Sequence, residues 1–225
     1  MRRVWLIDLS GFKMGQNLYK LFEISSPAIC CDAPKLPREL LATAGQIGAQ
    51  LAELLIKRNG FYALDGALHV FHSGCPMSQP DIEKWNLGDS WKACYEGAAD
   101  GYLFFAEDIL GEQFALGKDR VHRFDPETAG VEEVAENLEG WASRILERYE
   151  YETGYPLARD WKEENGVLPP GERLLPKIPF ILGGAYHLSN LYALDAVKGM
   201  KFRGDMWRQL RDLPPCTKVT LKITE

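Results

Sequence analysis

Three carboxylates close together in the middle of the chain raise the first question about chemistry. Glu107, Asp108 and Glu112 fall within one short segment, FAEDILGEQF, with Asp108 and Glu112 four residues apart. Such carboxylates could form an acid–base pair or give oxygen ligands to a metal ion. Alternatively, Asp108 brackets a tight turn that Gly111 bends. The nearest lysine and histidine downstream are Lys118 and His122, which belong to later turns and strands of the segment. We therefore interpret the three as turn residues between strands, with a partner-facing acidic patch as the second interpretation.

A second set could bind zinc. The segment HVFHSGC contains His69, His72 and Cys75, and Cys30 or Cys31 could add a fourth ligand. However, H-x-x-H with one nearby cysteine is not a recognised zinc-finger spacing, and adjacent cysteines are poorly placed to share a metal. We expect the two histidines to be partly exposed strand-end residues and Cys75 to be a small apolar filler. The sequence predicts no metal and no cofactor.

Other catalytic classes lack support in the sequence. A cysteine nucleophile would need His122 or His187 as a spatial partner, which the sequence does not reveal. The segment ILGGAY has two glycines but neither phosphate-loop pattern. The basic residues of 195–213 are diluted by Asp205 and Asp212, as on the solvated face of an amphipathic helix. We therefore predict no catalytic residue and no enzyme activity.

Cysteine usage and hydropathy bear on location. The five cysteines are odd in number and irregularly spaced, which argues against a disulfide framework and favours a reduced, cytoplasmic setting. No apolar run approaches the length of a membrane span. Asp8 interrupts the short apolar start of the chain, so we do not expect a signal peptide.

The acidic charge is concentrated in the middle of the chain. The net charge is −6, but residues 81–165 contain 21 acidic and 9 basic side chains. One interpretation is a solvated acidic helix with acidic turns; the other is a face for a basic partner. Such a field disfavours nucleic acid and can raise the association rate with a cationic protein by roughly 10–10³-fold.

Hydrophobic periodicity predicts three main helices. They cover residues 36–60, in which Pro37 suits the first turn and Asn59-Gly60 ends the helix, then 131–151 and 195–213. Two short helices are expected in DIEKW and SWKACYE. The Pro- and Gly-rich stretch between residue 151 and residue 171 is predicted to be a loop.

Short apolar runs separated by turn residues predict an antiparallel meander. The expected strands are VWLIDLS near the start, YLFFA, FAL and VHRF in the middle, two strands in KIPFILGGAYHLSNLYALD, and TKVTLKI at the end. Asp125–Thr128 fits a type I turn. The fold class is therefore α+β, a mainly antiparallel sheet packed with helices.

An ordered series of segments resembles the SUKH superfamily of cell-wall regulators and immunity proteins. The series runs LIKRNGFYALDGALHVF, FFAEDILGEQFAL, VHRFDPET, LEGWASRI, ETGYPLARDW, ERLLPKIPFILGGAYHLSNLYALDAVKGMKFR and RQLRDLPPCTKVTL. It spans roughly residues 36–225, which leaves residues 1–35 as an N-terminal extension expected to pack on the main domain. Cys216 departs from the pattern, because a turn glycine is expected after Pro-Pro.

The resemblance implies an SUKH-like antiparallel sheet and, for most bacterial members, an immunity protein that binds and neutralises a toxin in the cytoplasm. The family has no shared catalytic centre to carry over. The expected partner is a protein toxin domain, with a basic nuclease as one candidate, and neither nucleic acid nor membrane is expected to bind directly. The expected partner-binding residues are the central acidic ones: Glu107, Asp108, Glu112, Glu132, Glu133 and Glu136.

Two alternatives stay open. The chain could be a housekeeping regulatory module that docks on resident cellular proteins. It could also be a metal-dependent hydrolase that uses His69, His72 and Cys75 or the carboxylates of residues 107–112. The sequence leaves the oligomeric state open, because sheet edges and exposed aromatic side chains would allow a dimer.

Overall fold

The centre of the molecule is a six-stranded antiparallel sheet. The computed structural model describes residues 14–76, 79–214 and 217–219. The strands follow one another in chain order, each pairing with the next. They are β1 (Phe61–Ala63), β2 (Leu68–Val70), β3 (Leu103–Asp108), β4 (Gln113–Gly117), β5 (Arg120–Asp125) and β6 (Gly130–Ala135). A separate antiparallel pair is formed by β7 (Glu172–Pro176) and β8 (Leu191–Asp195).

Seven helices surround these sheets in the described part of the chain. They are α1 (Gln16–Glu23), α2 (Arg38–Thr43), α3 (Gly48–Lys57), α4 (Ile82–Trp85), α5 (Leu138–Thr153), α6 (Tyr155–Asn165) and α7 (Ala196–Leu210). Together with the two sheets they confirm the predicted α+β class. No helix among the described residues is both long enough and apolar enough to cross a membrane.

The core lies on both faces of the main sheet, because the middle strands β3 and β4 are buried along their whole length. On one face, Phe105 and Phe114 pack edge-on against Trp141 of α5, with ring centroids 5.0 and 5.6 Å apart. On the other face, Phe104 and Phe124 pack around Trp91. These aromatic contacts hold helical segments against both sides of the meander.

The predicted helix at 131–151 begins later than the sequence suggested. Residues Gly130–Ala135 form the edge strand β6, and α5 starts at Leu138. The Asn137 side chain accepts a hydrogen bond from the Gly140 backbone N–H at 2.9 Å. Asn137 therefore caps the helix, and the valines that fitted a helical period belong to a strand instead.

The predicted loop between residues 151 and 171 was also wrong, because it contains helix α6. Gly154 adopts a left-handed conformation (φ +65°) that ends α5, and Pro156 occupies the first turn of α6. A Cβ at residue 154 would lie 2.8 Å from Cγ2 of Ile109. A glycine is therefore needed where the two helices meet.

Two further elements differ in detail from the prediction. Gly45, at φ +65°, divides the first long helix into α2, a short 3-10 turn and α3. Two strands were expected in KIPFILGGAYHLSNLYALD, but only Leu191–Asp195 forms one. Phe180–Leu182, in the first half of this segment, forms a 3-10 turn. The two short helices expected at residues 81–96 are present as α4 and the 3-10 turn Trp91–Tyr95.

The beginning of the described chain belongs to the main core. Leu18 and Leu21 of α1 are fully buried in it, and the Glu139 carboxylate accepts hydrogen bonds from the backbone N–H groups of Asn17 and Leu18. The division of the chain at residue 36 stays a prediction. The predicted strand VWLIDLS, Cys216 and most of TKVTLKI lie outside the described residues.

The sequence argued against disulfides, and the structure contradicts this for two of the cysteines. Cys30 and Cys75 form a disulfide across 45 positions of sequence, while Cys31 and Cys94 are free. Sequence spacing did not reveal this pair, because it depends on how the segment around Cys30 packs beside the end of β2. The Asn59 side chain bridges the two segments, donating to the carbonyls of Asp32 and Ser73.

Candidate functional site

A cleft of about 970 Å³ opens beside the ends of β3 and β5. Its walls are the turn after β3, the β5–β6 turn, the junction of α5 with α6, and the segment around Tyr186. The side chains that give it its charge are acidic: Asp108, Glu112, Asp125, Glu132, Glu150, Asp160, Glu163 and Glu164. Among the residues that the structure describes, the basic ones that line it are Arg123 and His187. A concave surface with this balance attracts cations and repels anions.

The floor of the cleft is an ion-pair network around Arg123. Its guanidinium contacts Glu112 through Nε, Glu152 through Nη1 at 3.1 Å and Asp108 through Nη2 at 3.5 Å. Glu152 is fully buried and also pairs with Nε of Arg144 at 2.8 Å. Breaking such a buried network costs more than its formation gains, because the remaining charges stay desolvated.

The turn after β3 positions two of these carboxylates. One oxygen of Asp108, Oδ1, accepts hydrogen bonds from the backbone N–H groups of Leu110 and Glu112, at 2.9 and 2.8 Å. Gly111 lies at φ +75°, and a Cβ there would be 2.5 Å from Nη2 of Arg203. Asp108 therefore brackets a tight turn, as the sequence suggested, and the same turn directs Glu112 towards Arg123.

Burial and neighbouring charges raise the pKa of two carboxyls on this floor. Burial raises the pKa of Asp108 to about 8, and the neighbouring charge of Glu112 adds to the effect. The pKa of Glu112 is also raised, chiefly by burial. Burial alone would lower the pKa of Arg123, but Glu112 and Asp108 raise it on balance. The two carboxyls thus compete for one guanidinium and titrate as a pair.

Glu107 lies in the interior and not in the cleft. Its Oε1 is 3.0 Å from Nδ1 of His69 and 3.0 Å from Nε of Arg173, and all three side chains are buried. Although burial alone would raise the pKa of Glu107, Arg173 and His69 hold it below its usual range. Burial lowers the pKa of His69 to about 4, so this histidine is neutral near pH 7.

The other predicted partner-binding residues divide between two surfaces. Glu132 lines the cleft with Asp108 and Glu112. Glu133 and Glu136 are exposed and lie 3.6 and 3.5 Å from the guanidinium of Arg120. The structure thus brings three of the six residues together in the cleft, whereas the partner-binding role itself stays a prediction.

Sequence reasoning missed several residues of the cleft. Arg123 and Glu152 escaped notice because they are paired only through the fold, and the acidic residues of α6 were assigned to a loop. The signal for α6 was present in GYPLARDWKEENG, which places Pro in the first turn and glycines at both ends. Tyr186 also escaped notice, since no local pattern distinguishes it.

The predicted environment of the histidines was wrong. His69 and His72 are buried, with exposures of 1% and 0%, and Nε2 of His72 lies 3.3 Å from the Cys75 carbonyl oxygen. Among the described residues, the side chains whose ligand atoms lie within 4.8 Å of one another are Cys30, Asp32 and Cys75. Neither histidine belongs to that group, and two of its three members form the disulfide.

Comparisons with known proteins establish the fold class alone. The crystal structure of Atu4351 from Agrobacterium tumefaciens superimposes with a TM-score of 0.52 at 14% sequence identity. The match covers 85% of this chain and 89% of Atu4351. No family model matches this sequence, and neither does any curated protein. The shared architecture supports the α+β arrangement and leaves the chemistry of the cleft to be argued from its own residues.

Proposed function

We propose that this chain is an immunity-type binding protein that binds and neutralises a bacterial toxin. It does so by holding a basic domain of the toxin, for which a nuclease is one candidate, against the acidic cleft. The observation that carries the proposal is the lining of the cleft, with eight carboxylates against one arginine and one histidine. Charge complementarity of this kind raises association rates and selects cationic partners. The resemblance to the SUKH superfamily supports the same role.

The floor of the cleft suits binding better than acid–base catalysis. At its base, Asp108 and Glu152 pair with Arg123, and Asp108 also accepts two backbone hydrogen bonds. A general acid or base must instead present a free oxygen to the substrate. The rim differs, since Glu163 and Glu164 on α6 are exposed and available to an incoming basic surface.

A regulatory module that docks on resident proteins is the second candidate, because the same cleft would serve it. The partner distinguishes the two functions. A toxin domain stops growth when it is expressed alone, whereas a resident enzyme or cell-envelope regulator does not.

The test is affinity capture from the host lysate with three forms of the protein. The first is the wild type, and the second carries Asp160→Lys, Glu163→Lys and Glu164→Lys at the rim of the cleft. The matched control carries the same charge change on exposed residues away from the cleft: Glu23→Lys, Glu39→Lys and Glu83→Lys. Captured proteins are identified by mass spectrometry at low and moderate salt, and each is then expressed alone and together with this chain.

We expect the wild type and the control to retain one basic protein that the rim variant loses. That protein should stop growth when expressed alone, and co-expression of the wild type should restore growth. Equal retention by the rim variant would overturn the role of the cleft. A captured protein that is resident and harmless would overturn the immunity function and favour the regulatory module.

A further inference from the structure

A smaller pocket of about 260 Å³ adjoins the acidic cleft, and Tyr186 is one of the residues that line it. Glu112, Asp125 and Tyr186 line both cavities, so the two spaces share a wall. Glu127 and Arg203 line the small pocket alone. Three carboxylates and one guanidinium therefore surround this space, which leaves it with an excess of negative charge.

Two buried polar groups in this pocket are incompletely paired. Glu127 is 5% exposed, and its Oε2 accepts a hydrogen bond from the Ile181 backbone N–H at 2.8 Å. Its other oxygen, Oε1, has no hydrogen-bond partner among the described residues, and neither has Nε of Arg203. Buried polar groups nearly always find partners, so this carboxylate oxygen is available to a donor supplied from outside the chain.

Tyr186 gives the pocket a flat aromatic wall. Its ring is stacked on Phe180, with centroids 3.9 Å apart and planes within 4° of parallel. The side chain is nevertheless 65% exposed, so the stack fixes the orientation of the ring and leaves much of its surface accessible. Partial burial raises the pKa of Tyr186, and the negative charges of Glu112 and Glu127 raise it further. The ring thus lies among the carboxylates.

We propose that the pocket formed by Tyr186, Glu112, Asp125 and Glu127 receives one arginine side chain of the partner. This inference rests on the proposed function, because it names the group that the acidic cleft recognises. The guanidinium stacks on the ring of Tyr186 and donates its N–H groups to the surrounding carboxylates. The unpaired oxygen of Glu127 is the innermost acceptor.

Arginine fits this pocket better than lysine for a geometric reason. A guanidinium is planar, stacks on aromatic faces and carries five N–H donors directed to several sides at once. The carboxylates here come from two segments: Glu112 from the turn after β3, and Asp125 and Glu127 from the end of β5 and the turn that follows it. Contacts within the β5–β6 turn fix Asp125. Asp125 is held by the backbone N–H of Glu127 at 2.8 Å and by the hydroxyl of Thr128 at 2.7 Å. The ammonium group of a lysine could bind the same carboxylates, but it could not stack on the ring of Tyr186.

The test is an NMR titration of the full-length protein with small arginine probes. Nα-acetyl-arginine amide is compared with the corresponding lysine amide and with the citrulline amide, a neutral analogue of similar shape. The variants are Tyr186→Ala, Tyr186→Phe and Glu127→Gln, and Glu39→Gln on the exposed surface of α2 is the control. Glutamine at residue 127 keeps an acceptor for the Ile181 N–H, which preserves the turn.

We expect the arginine probe to shift the amide signals of Glu127 and Ile181, with lysine binding roughly fivefold more weakly and citrulline not binding. Tyr186→Ala and Glu127→Gln should each weaken arginine binding by roughly fivefold or more, whereas Tyr186→Phe and Glu39→Gln should leave it unchanged. Equal binding of lysine, or unchanged binding to Tyr186→Ala, would overturn the inference.

The two proposals can fail separately. If the rim variant loses the captured partner but the arginine probe does not bind, the cleft retains its role and the arginine pocket is wrong. If the probe binds as expected but the rim variant keeps the partner, the pocket recognises arginine and the proposed toxin-binding role of the cleft is wrong.

Discussion

Arg123 connects the chemistry of the cleft to the stability of the fold. Its guanidinium neutralises carboxylates from the turn after β3 and from the end of α5, two segments that are distant in sequence. It is 13% exposed, so water does little to replace these contacts. Arg120, on the same strand, is 43% exposed and pairs only with exposed glutamates. The two arginines therefore form a natural pair for comparison.

We expect Arg123→Met to lower the free energy of unfolding by about 3–5 kcal/mol, because it leaves buried carboxyls without a counter-charge. Arg120→Met is the control and should cost less than about 1 kcal/mol, as exposed ion pairs do. Urea unfolding at pH 7 measures both values. A cost for Arg123→Met as small as that of the control would show that the network does not stabilise the folded state.

The pKa of Asp108, raised to about 8, predicts an unusual dependence of stability on pH. At pH values between the two pKa values, the folded protein keeps the Asp108 proton that the unfolded chain has lost. The stability that this raised pKa contributes at low pH is therefore lost as the pH rises through 8. The pKa of His69 is lowered to about 4, so this residue has the opposite effect on stability. It destabilises the folded protein only as the pH falls below 6.5, the ordinary pKa of histidine. Of these two residues, only Asp108 therefore changes the stability between pH 6.5 and pH 8.5.

We expect the free energy of unfolding to fall by about 1–2 kcal/mol between pH 6.5 and pH 8.5. Asp108→Asn should remove most of this fall, because the amide oxygen still accepts the two backbone hydrogen bonds but no longer titrates. Chemical unfolding across this pH range measures the change. A wild-type stability that stays level or rises there would contradict the raised pKa.

For Glu107 and Asp108, only part of the local structure could be predicted from the sequence. Asp108 as a turn residue could be predicted from the local pattern, and the turn is present. Glu107 was grouped with it because the two are adjacent. Successive side chains of a strand point to opposite faces, so Glu107 meets His69 in the interior while Asp108 reaches the cleft. The partners of both come from distant segments that no local pattern reveals.

At the scale of elements, the strongly periodic helix α7 and the middle strands β3, β4 and β5 could be predicted from the sequence. The missed elements are those that shape the cleft. Strand β6 contains valines at a spacing that also suits a helix, and its true form depends on pairing with β5. Only Gly154 separates α6 from α5, and Pro156 lies in the first turn of α6. Both residues were predicted to lie in a loop, although they form the junction between the two helices.

The number and spacing of the cysteines argued against disulfides, so the Cys30–Cys75 bond differs from that expectation and yields a direct prediction. One bond consumes two of the five cysteine thiols, so three should react with a thiol reagent in denaturant without reductant. A bond across 45 positions stabilises by about 4 kcal/mol in the loop-closure model. Reduction or Cys75→Ser should therefore lower the thermal midpoint markedly.

Cys94→Ser is the control, because that thiol is free in the structure. Five reactive thiols in the untreated protein, together with a midpoint that reductant leaves unchanged, would show that the bond does not form. The protein would then be reduced as the sequence suggested, with Cys30 and Cys75 adjacent but unlinked.

At the scale of the whole molecule, the central acidic region of the sequence folds so that much of its charge lines one cleft. The sequence predicted an acidic face, but it could not show that α5, α6 and the β5–β6 turn bring these residues together. The likeness to Atu4351, at 14% identity, concerns the course of the backbone. The cleft must therefore be tested on this protein directly.

The most direct test of the central claim is the rate at which the captured partner associates with this protein at increasing ionic strength. Between about 0.1 M and about 1 M salt the Debye length falls from about 10 Å to about 3 Å. We predict that the association rate constant of the wild type falls by about tenfold or more over this range. The rim variant should associate slowly at every salt concentration. A rate that does not change with salt, and that is equal for the wild type and the rim variant, would contradict binding through the acidic cleft.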